Sequence, residues 1–379
     1  MSTLDPYLRR MADKGASDLY FTTGAPPAMR IDGETYPVSR NRLEPGMARK
    51  IALSLMTDEQ KEEFEREFEL NLAFTRPDIG RFRVNIYCQR GEVSLVIRHI
   101  KFNIPELSTL NLPEILQSLI NERKGLILVV GSTGSGKSTT LAAMLDHRNR
   151  TRSGHILTVE DPIEYMFRHQ KSIVGQREVG IDTHSYDNAL REAMREAPDV
   201  IMIGEVRDRA TMEHALSYAD TGHLCLTTLH AVNTYQAMDR IINMFPSEGQ
   251  NQILMDLSLN LRAVISQRLV PSRKGGRVPA VEVMLNTPYI SELIRKGEIH
   301  EIRTAMGKGS RDGMQTFDNS LFDLFRQNQV ELETALDYAD SRSDLEWRIN
   351  FGGGVQSFSG RKQEEELEFP QQLDDLPRE

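Results

Sequence analysis

The chain has 379 residues, 39% of them apolar, enough to bury more than one core and a length that suits two or three domains. Its 46 Lys and Arg against 55 Asp and Glu leave a formal net charge of −9, which argues against a general DNA- or RNA-binding surface. Two distant cysteines, Cys88 and Cys225, exclude a disulfide scaffold and give no zinc pattern; without a signal pattern or an apolar run near the roughly 20 residues of a membrane span, the chain reads most simply as cytosolic, with any membrane contact through a partner.

From the N-terminus, Leu4, Tyr7, Leu8 and Met11 recur at helical spacing over 3–16. Leu19-Tyr20-Phe21 reads as a short strand, Gly24-Ala25-Pro26-Pro27 as a turn, and Met29-Arg30-Ile31 runs into the hairpin signal Asp32-Gly33. Residues 45–68 read as helical, with an acidic second half. Two strands follow: Phe82, Val84, Ile86 and Cys88 alternate onto one face of 81–89, and Val93, Leu95 and Ile97 onto one face of 92–99. Arg83 and Arg98 then point away from the core. Residues 1–100 are expected to form a small α+β domain presenting arginines outward, and 101–115, with Pro105 and Pro113, an extended connector.

From 125 to 286 apolar strands alternate with helices, the pattern of a parallel sheet flanked by helices. The strands are expected at 125–130, 155–160, 200–205, 223–230 and 280–285, the helices at 137–147, 185–197, 208–220 and 233–244, with a further long helix over 250–269. After this core, 116–286, short helices are expected at 288–296, 299–306, 318–328, 331–339 and 343–350. Gly352-Gly353-Gly354 is expected to end order. Glu364-Glu365-Glu366 and Asp374-Asp375, among few apolar residues, make 351–379 read as a disordered acidic tail.

The chemistry centres on Gly131-Ser132-Thr133-Gly134-Ser135-Gly136-Lys137-Ser138, which fits G-x-x-x-x-G-K-[ST] in full. An apolar strand precedes it and a helix opens at Thr139, the context that makes the pattern a phosphate site. Glycines let backbone N–H groups converge on a phosphate, and the helix N-terminus adds positive potential. Residues 131–139 are the expected nucleotide contacts, with Lys137 reaching the β- and γ-phosphates and Ser138 giving a hydroxyl to Mg²⁺. Asp199-Val200-Ile201-Met202-Ile203-Gly204-Glu205 is a buried strand ending in a carboxylate able to orient the attacking water. A usual Walker B strand ends in Asp then Glu; the Asp position here is Gly204, so the metal shell needs another carboxylate. Glu160, Asp161 and Glu164, delivered at a strand's carboxyl end, offer it. His230, at the carboxyl end of the strand over 223–230, is placed to sense phosphate, though spacing alone reads equally as a structural histidine. Arg191 and Arg195 share a helix face at i, i+4, by itself the pattern of a solvated face. With Arg83 and Arg98 they give more cations than one nucleotide needs, which arginines supplied in trans across an oligomer interface would explain.

Together these blocks resemble the secretion-type ring ATPases of type II secretion, type IV pili and related motors. That family's four boxes occur in order: the Walker A loop at 131–138, the aspartate box around 160–164, the Walker B box at 191–205 and the histidine box at 221–230. Ser17-Asp18-Leu19 and 26–33 are similar to the N-terminal domain of the pilus retraction branch, and Leu293-Ile294-Arg295-Lys296-Gly297 and 313–318 to its C-terminal helices. Tyr20 stands where that branch usually has His. Within the branch, 178–183, 294–301 and the long acidic tail are closer to the PilU-like than to the PilT-like subgroup. The resemblance, over about 3–350, implies a RecA-like P-loop C-terminal domain with a parallel sheet, a small PAS-like α+β N-terminal domain and a helical C-terminal part. It implies a homo-hexamer with ATP held between neighbouring subunits, where Arg83 and Arg98 match the nucleotide-contacting arginines and Arg191 and Arg195 the Walker B-box arginines. It also implies a sister retraction ATPase and an inner-membrane pilus platform protein as partners, a cytoplasmic place at the pilus base, and no nucleic acid. The leading reading is a motor for pilus retraction. A regulatory ring that binds ATP and stacks on the sister motor is the second, and a secretion or DNA-translocating ATPase the third.

Overall fold

The computed structural model describes residues 4–31, 33–100, 102–308 and 313–351. The expected tail lies outside them except for Phe351, which is helical, and so do the Gly352-Gly353-Gly354 break and Asp32 of the hairpin signal. The N-terminal part runs α1 (Asp5–Asp13), β1 (Asp18–Phe21), β2 (Ala28–Ile31), β3 (Glu34–Pro37), α2 (Met47–Leu53), α3 (Asp58–Glu67), β4 (Glu69–Arg76), β5 (Gly80–Gln89) and β6 (Glu92–Ile100). Its antiparallel sheet has the order β3-β2-β1-β6-β5-β4. Leu8 and Met11 of α1, Ala48 and Ala52 of α2 and Phe64 of α3 bury against Phe82, Val84, Ile86, Leu95 and Ile97 on one face. The other face keeps the polar half of each strand, Arg81, Arg83 and Arg98 included, as alternation requires.

Three local differences from the sequence reading have simple causes. The helical stretch 45–68 is two helices, because Thr57 starts a new one: its side chain accepts from the Gln60 N–H while the Gln60 side chain accepts from the Thr57 N–H, a capping box. β4 went unseen because only Leu70 and Leu72 of its eight residues are buried, too weak an alternation for an edge strand. Cys88 is exposed rather than on the core face, at the end of β5 where the strand runs into its turn.

The connector contains a short 3-10 turn at Leu107–Thr109 before α4 (Ile115–Leu119). The C-terminal part continues with β7 (Gly125–Val130), α5 (Lys137–Thr151), β8 (Gly154–Glu160), β9 (Ser172–Glu178), α6 (Tyr186–Ala193), β10 (Val200–Ile203), α7 (Arg209–Asp220), β11 (Leu224–Leu229), α8 (Thr234–Asn243), α9 (Gln250–Asn260), β12 (Leu261–Pro271) and β13 (Arg277–Leu285). Helices α10 (Pro288–Lys296), α11 (Ile302–Lys308), α12 (Phe317–Arg326), α13 (Leu332–Asp337) and α14 (Arg342–Phe351) complete the chain, close to the five short helices expected. The sheet order is β13-β12-β7-β11-β10-β8-β9, parallel except for the β12–β13 pair. β7, β10 and β11 are buried at every residue, which is why β7 and β10 read as near-continuous apolar runs and β11 as one broken only by Thr227 and Thr228. One core lies on each face of the sheet, and a third joins β12 and β13 to α12–α14.

The long helix expected over 250–269 is corrected: it stops at Asn260, and β12 begins at Leu261. The β-branched run Val264-Ile265 pairs with Leu128 and Val129 of β7, so sheet contacts decide between the two periodicities. Likewise α6 ends at Ala193 and tightens into a 3-10 turn at Met194–Glu196, taking Arg195 off the α-helical face it was expected to share with Arg191.

Candidate nucleotide site

β7 is flanked by β12 and β11, so the loop 131–136 leaves the middle of the sheet at its carboxyl edge, where open α/β sheets bind ligands. Gly131, Gly134 and Gly136 have φ of 158, 77 and 92°. A Cβ on Gly131 would lie 2.6 Å from the Gln267 carbonyl oxygen, and one on Gly136 2.7 Å from Gln267 Nε2. Gln267, on the strand the sequence reading missed, therefore brackets the loop on both sides, and its Oε1 accepts from Thr140 Oγ1 at 2.7 Å in the first turn of α5. Lys137 Nζ donates to the Gly131 and Ser132 carbonyls at 2.9 and 3.0 Å. Burial lowers its pKa, opposed by the charges of Glu205 and Glu164. The loop thus holds a buried ammonium at the N-terminus of α5, an arrangement that suits an anion.

Three further elements meet this loop around a cavity of about 230 Å³ lined by Thr133, Gly134, Lys137, Ser138, Glu160, Asp161, Glu164, Glu205 and His230 among others. From the turn after β8, Glu164 Oε1 accepts from Ser138 Oγ at 3.0 Å. Asp161 and Pro162 are joined by a cis peptide bond. Glu160 is buried; its Oε1 accepts from Thr158 at 2.7 Å and Gln176 at 3.3 Å, and desolvation pushes its pKa up to about 7 against those hydrogen bonds. Beyond β10, Glu205 is held from two sides: Oε1 lies 3.2 Å from His230 Nε2, and Oε2 accepts from Arg207 Nε at 2.9 Å. His230 is thereby placed at the cleft beside the Walker B carboxylate.

The space beside Gly204, at the usual Walker B aspartate position, is tight. A Cβ on Gly204 would lie 2.9 Å from the Tyr186 hydroxyl and 3.3 Å from Glu160 Cα and the Val159 carbonyl oxygen. The neighbouring strand β8 fills the space and brings its own carboxylates. Ser138 and Glu164, a hydroxyl and a carboxylate 3.0 Å apart, are hard oxygen donors that suit Mg²⁺, which keeps water and phosphate oxygens beside one or two carboxylates. Glu160 fits less well, since Oε1 is taken by Thr158 and Gln176; Asp161 faces Arg207 at 3.4 Å. Among the described residues no three His, Cys, Asp or Glu converge as a ready-made metal cage.

Arg207, Tyr186, Gln267 and Thr228 were missed from sequence. Arg207 bridges Glu205 to Asp161, and Thr228 Oγ1 donates to the Gly204 carbonyl at 2.7 Å. For Arg207 a signal was available, two residues after Glu205; the others come from elements that only the fold brings near. The four expected arginines do not line the cleft of their own chain. Arg191 pairs with Asp187 and Arg195 with Glu192, both in solvent. Arg98 crosses to Asp18 at 2.8 Å, directly opposite in the β1–β6 register. Arg83 reaches toward Glu178 at 3.8 Å.

The family model described as "Type II/IV secretion system protein" matches residues 1–279. The chain is 50% identical over 346 residues to the type IV pilus ATPase PilU of Pseudomonas aeruginosa, covering 91% of each chain. It is 40% identical to the type IV pilus retraction ATPase PilT of the same organism, over 86% of this chain and 95% of that one. A crystal structure of the pilus retraction motor PilT with bound ADP superposes with a TM-score of 0.84 at 42% identity, covering 91% of this chain and 99% of that one.

Proposed function

The chain belongs to the type II/IV secretion system protein family and is a type IV pilus ATPase, and from that premise we propose that it is a Mg²⁺-dependent hexameric motor for pilus retraction. The observation that carries this reading is the meeting of Lys137, Glu164 and Glu205, from three separate elements, in one cleft. In the proposed mechanism the phosphate-loop N–H groups and Lys137 take the β- and γ-phosphates, which replace the two carbonyls that Nζ now contacts. Glu205, fixed by His230 and Arg207, orients water and accepts its proton as it attacks the γ-phosphorus. Mg²⁺, when bound, offsets charge on the phosphate oxygens; Ser138 and Glu164 are the residues that would hold it.

Arg83 and Arg98, on the outward face of the N-terminal sheet, are proposed to reach a neighbouring subunit's nucleotide, with Arg191 and Arg195 near the same boundary. On this reading the ring works beside a sister PilT-like motor, at the cytoplasmic face of the inner membrane against the pilus platform protein. No helix among the described residues is long and apolar enough to cross a membrane. Net charge of −9 disfavours the DNA-translocating reading.

The test is genetic. Lys137→Ala is introduced into cells with and without the sister motor, and pilus retraction is scored. The motor reading expects Lys137→Ala to impair retraction when the sister is present; retraction at the wild-type rate would overturn it. Retraction by the unaltered protein in sister-deleted cells shows whether the motor is self-sufficient.

A further inference from the structure

Arg83 leaves the N-terminal sheet toward the C-terminal domain, and what it meets there is unusual. Glu178, the last residue of β9, is buried with only 1% of its side chain exposed, and its Oε2 has no hydrogen-bond partner. Arg83 Nε lies 3.8 Å from Oε1, and Arg81, on the same strand face, adds a second positive charge; Arg81 Nε is itself buried without a hydrogen-bond partner. A buried carboxylate with an open valence is costly unless compensated by charge. Burial raises the Glu178 pKa and the two arginines oppose it, so the N-terminal domain supplies the compensation.

β9 pairs along its length with β8, the strand that leads into the nucleotide cleft. The Ile163 backbone N–H, in the turn that follows β8, favours the charged form of Glu178. Ile163 belongs to the turn that carries Asp161 and Glu164 into the cavity. Glu178 is also the register partner of Glu160, and the Val179 N–H donates to the Glu160 carbonyl at 2.9 Å.

We propose that Glu178 is a positioning residue that couples the N-terminal domain to the nucleotide cleft, holding Arg83 on one side and the 161–164 turn on the other. The contact stands by itself; its bearing on hydrolysis rests on the cleft being the nucleotide site. An arginine that swings to a neighbour's phosphates must leave Glu178, and its departure loosens the turn that positions Glu164. Docking of the N-terminal domain and readiness of the chain's own site are then mutually dependent.

Hydrogen exchange on the full chain tests this without nucleotide, when no phosphate competes for Arg83. Glu178→Gln, Arg83→Gln and the double variant are compared over a peptide covering 160–167. Each single variant is expected to speed exchange there about three- to tenfold, the scale of one weakened hydrogen bond. The double variant should be no faster than Glu178→Gln, and Arg83→Lys should keep most of the protection. Unchanged exchange in Arg83→Gln, or increments that simply add in the double, would overturn the coupling. If Glu178→Gln does not fold, the Arg83→Gln and Arg83→Lys pair decides alone. Wild-type ATP turnover is measured alongside: its absence would refute the hydrolysis reading and leave the exchange result standing.

Discussion

Gly204 sets the chemistry of the Walker B strand by having no side chain. Restoring the usual aspartate, Gly204→Asp, forces a Cβ against the Tyr186 hydroxyl and two backbone atoms of β8 that cannot rotate away. The expected result is a loss of about 1–3 kcal/mol in stability, the usual cost of overpacking, read by thermal denaturation, with no gain in ATP turnover. Glu205 calls for the opposite kind of change. Glu205→Gln keeps the shape but cannot take a proton from water, so turnover should fall about a hundredfold or more while ATP binding, read by a fluorescent analogue, persists. Near-normal turnover would move the base to Glu164. At this scale the sequence was most informative where the motif is local: eight consecutive residues make up the glycine loop, and Lys137, Ser138 and Glu205 line one cleft. Tyr186 and Gln267 were hidden because each acts through a neighbour on another element, whereas Arg207 stands two residues from the Glu205 it holds.

Elements were legible where their burial was uniform. β7, β10 and β11 are buried throughout and read correctly, whereas β12 was absorbed into the preceding helix because helix and buried strand look alike over a short apolar run. β9 was also missed, since only Ser172, Val174 and Glu178 of its seven residues are buried. The same β12–β13 region holds a buried acid. Glu282 Oε1 accepts from the Thr234 N–H at 2.8 Å and from Ser266 Oγ at 3.0 Å, tying the first turn of α8 to the sheet. Burial raises its pKa above 4.5 despite these hydrogen bonds, so the folded chain holds this proton more tightly than the unfolded one. The stability linked to Glu282 is therefore full below pH 4.5 and declines as pH rises from there through the raised folded value. Glu282→Gln, which keeps an acceptor but does not titrate, should make chemical-denaturation stability fall less between pH 4 and pH 7. An unchanged slope would show that Glu282 does not contribute to it.

The whole molecule joins an N-terminal sheet that leaves its arginine-bearing face outside its own core to a C-terminal sheet that carries the cleft. Alternation in β5 and β6 made that face legible; it could not say what the arginines meet, because partners on other chain segments leave no mark on a strand's own pattern. In the single chain they meet Glu178 and Asp18. If Arg83 serves a neighbour, mixing Arg83→Ala subunits with Lys137→Ala subunits should recover part of the ATPase, since some interfaces then combine an intact arginine with an intact lysine. No recovery in rings shown by mass to be mixed would place Arg83 in its own subunit's affairs alone.

The thiol distribution has a practical consequence for watching such motion. Of the two cysteines, Cys225 lies in the core of the parallel sheet, where burial raises its pKa and withholds the reactive thiolate, while Cys88 stands exposed at the tip of the N-terminal sheet. A maleimide dye added to the unmodified protein should attach once, to the N-terminal domain. The only tryptophan, Trp347, is exposed on α14 in the C-terminal part. An optical donor and an attachment point for an acceptor thus stand on opposite sides of the domain boundary, so energy transfer between them can report the distance across it during turnover without altering a single residue.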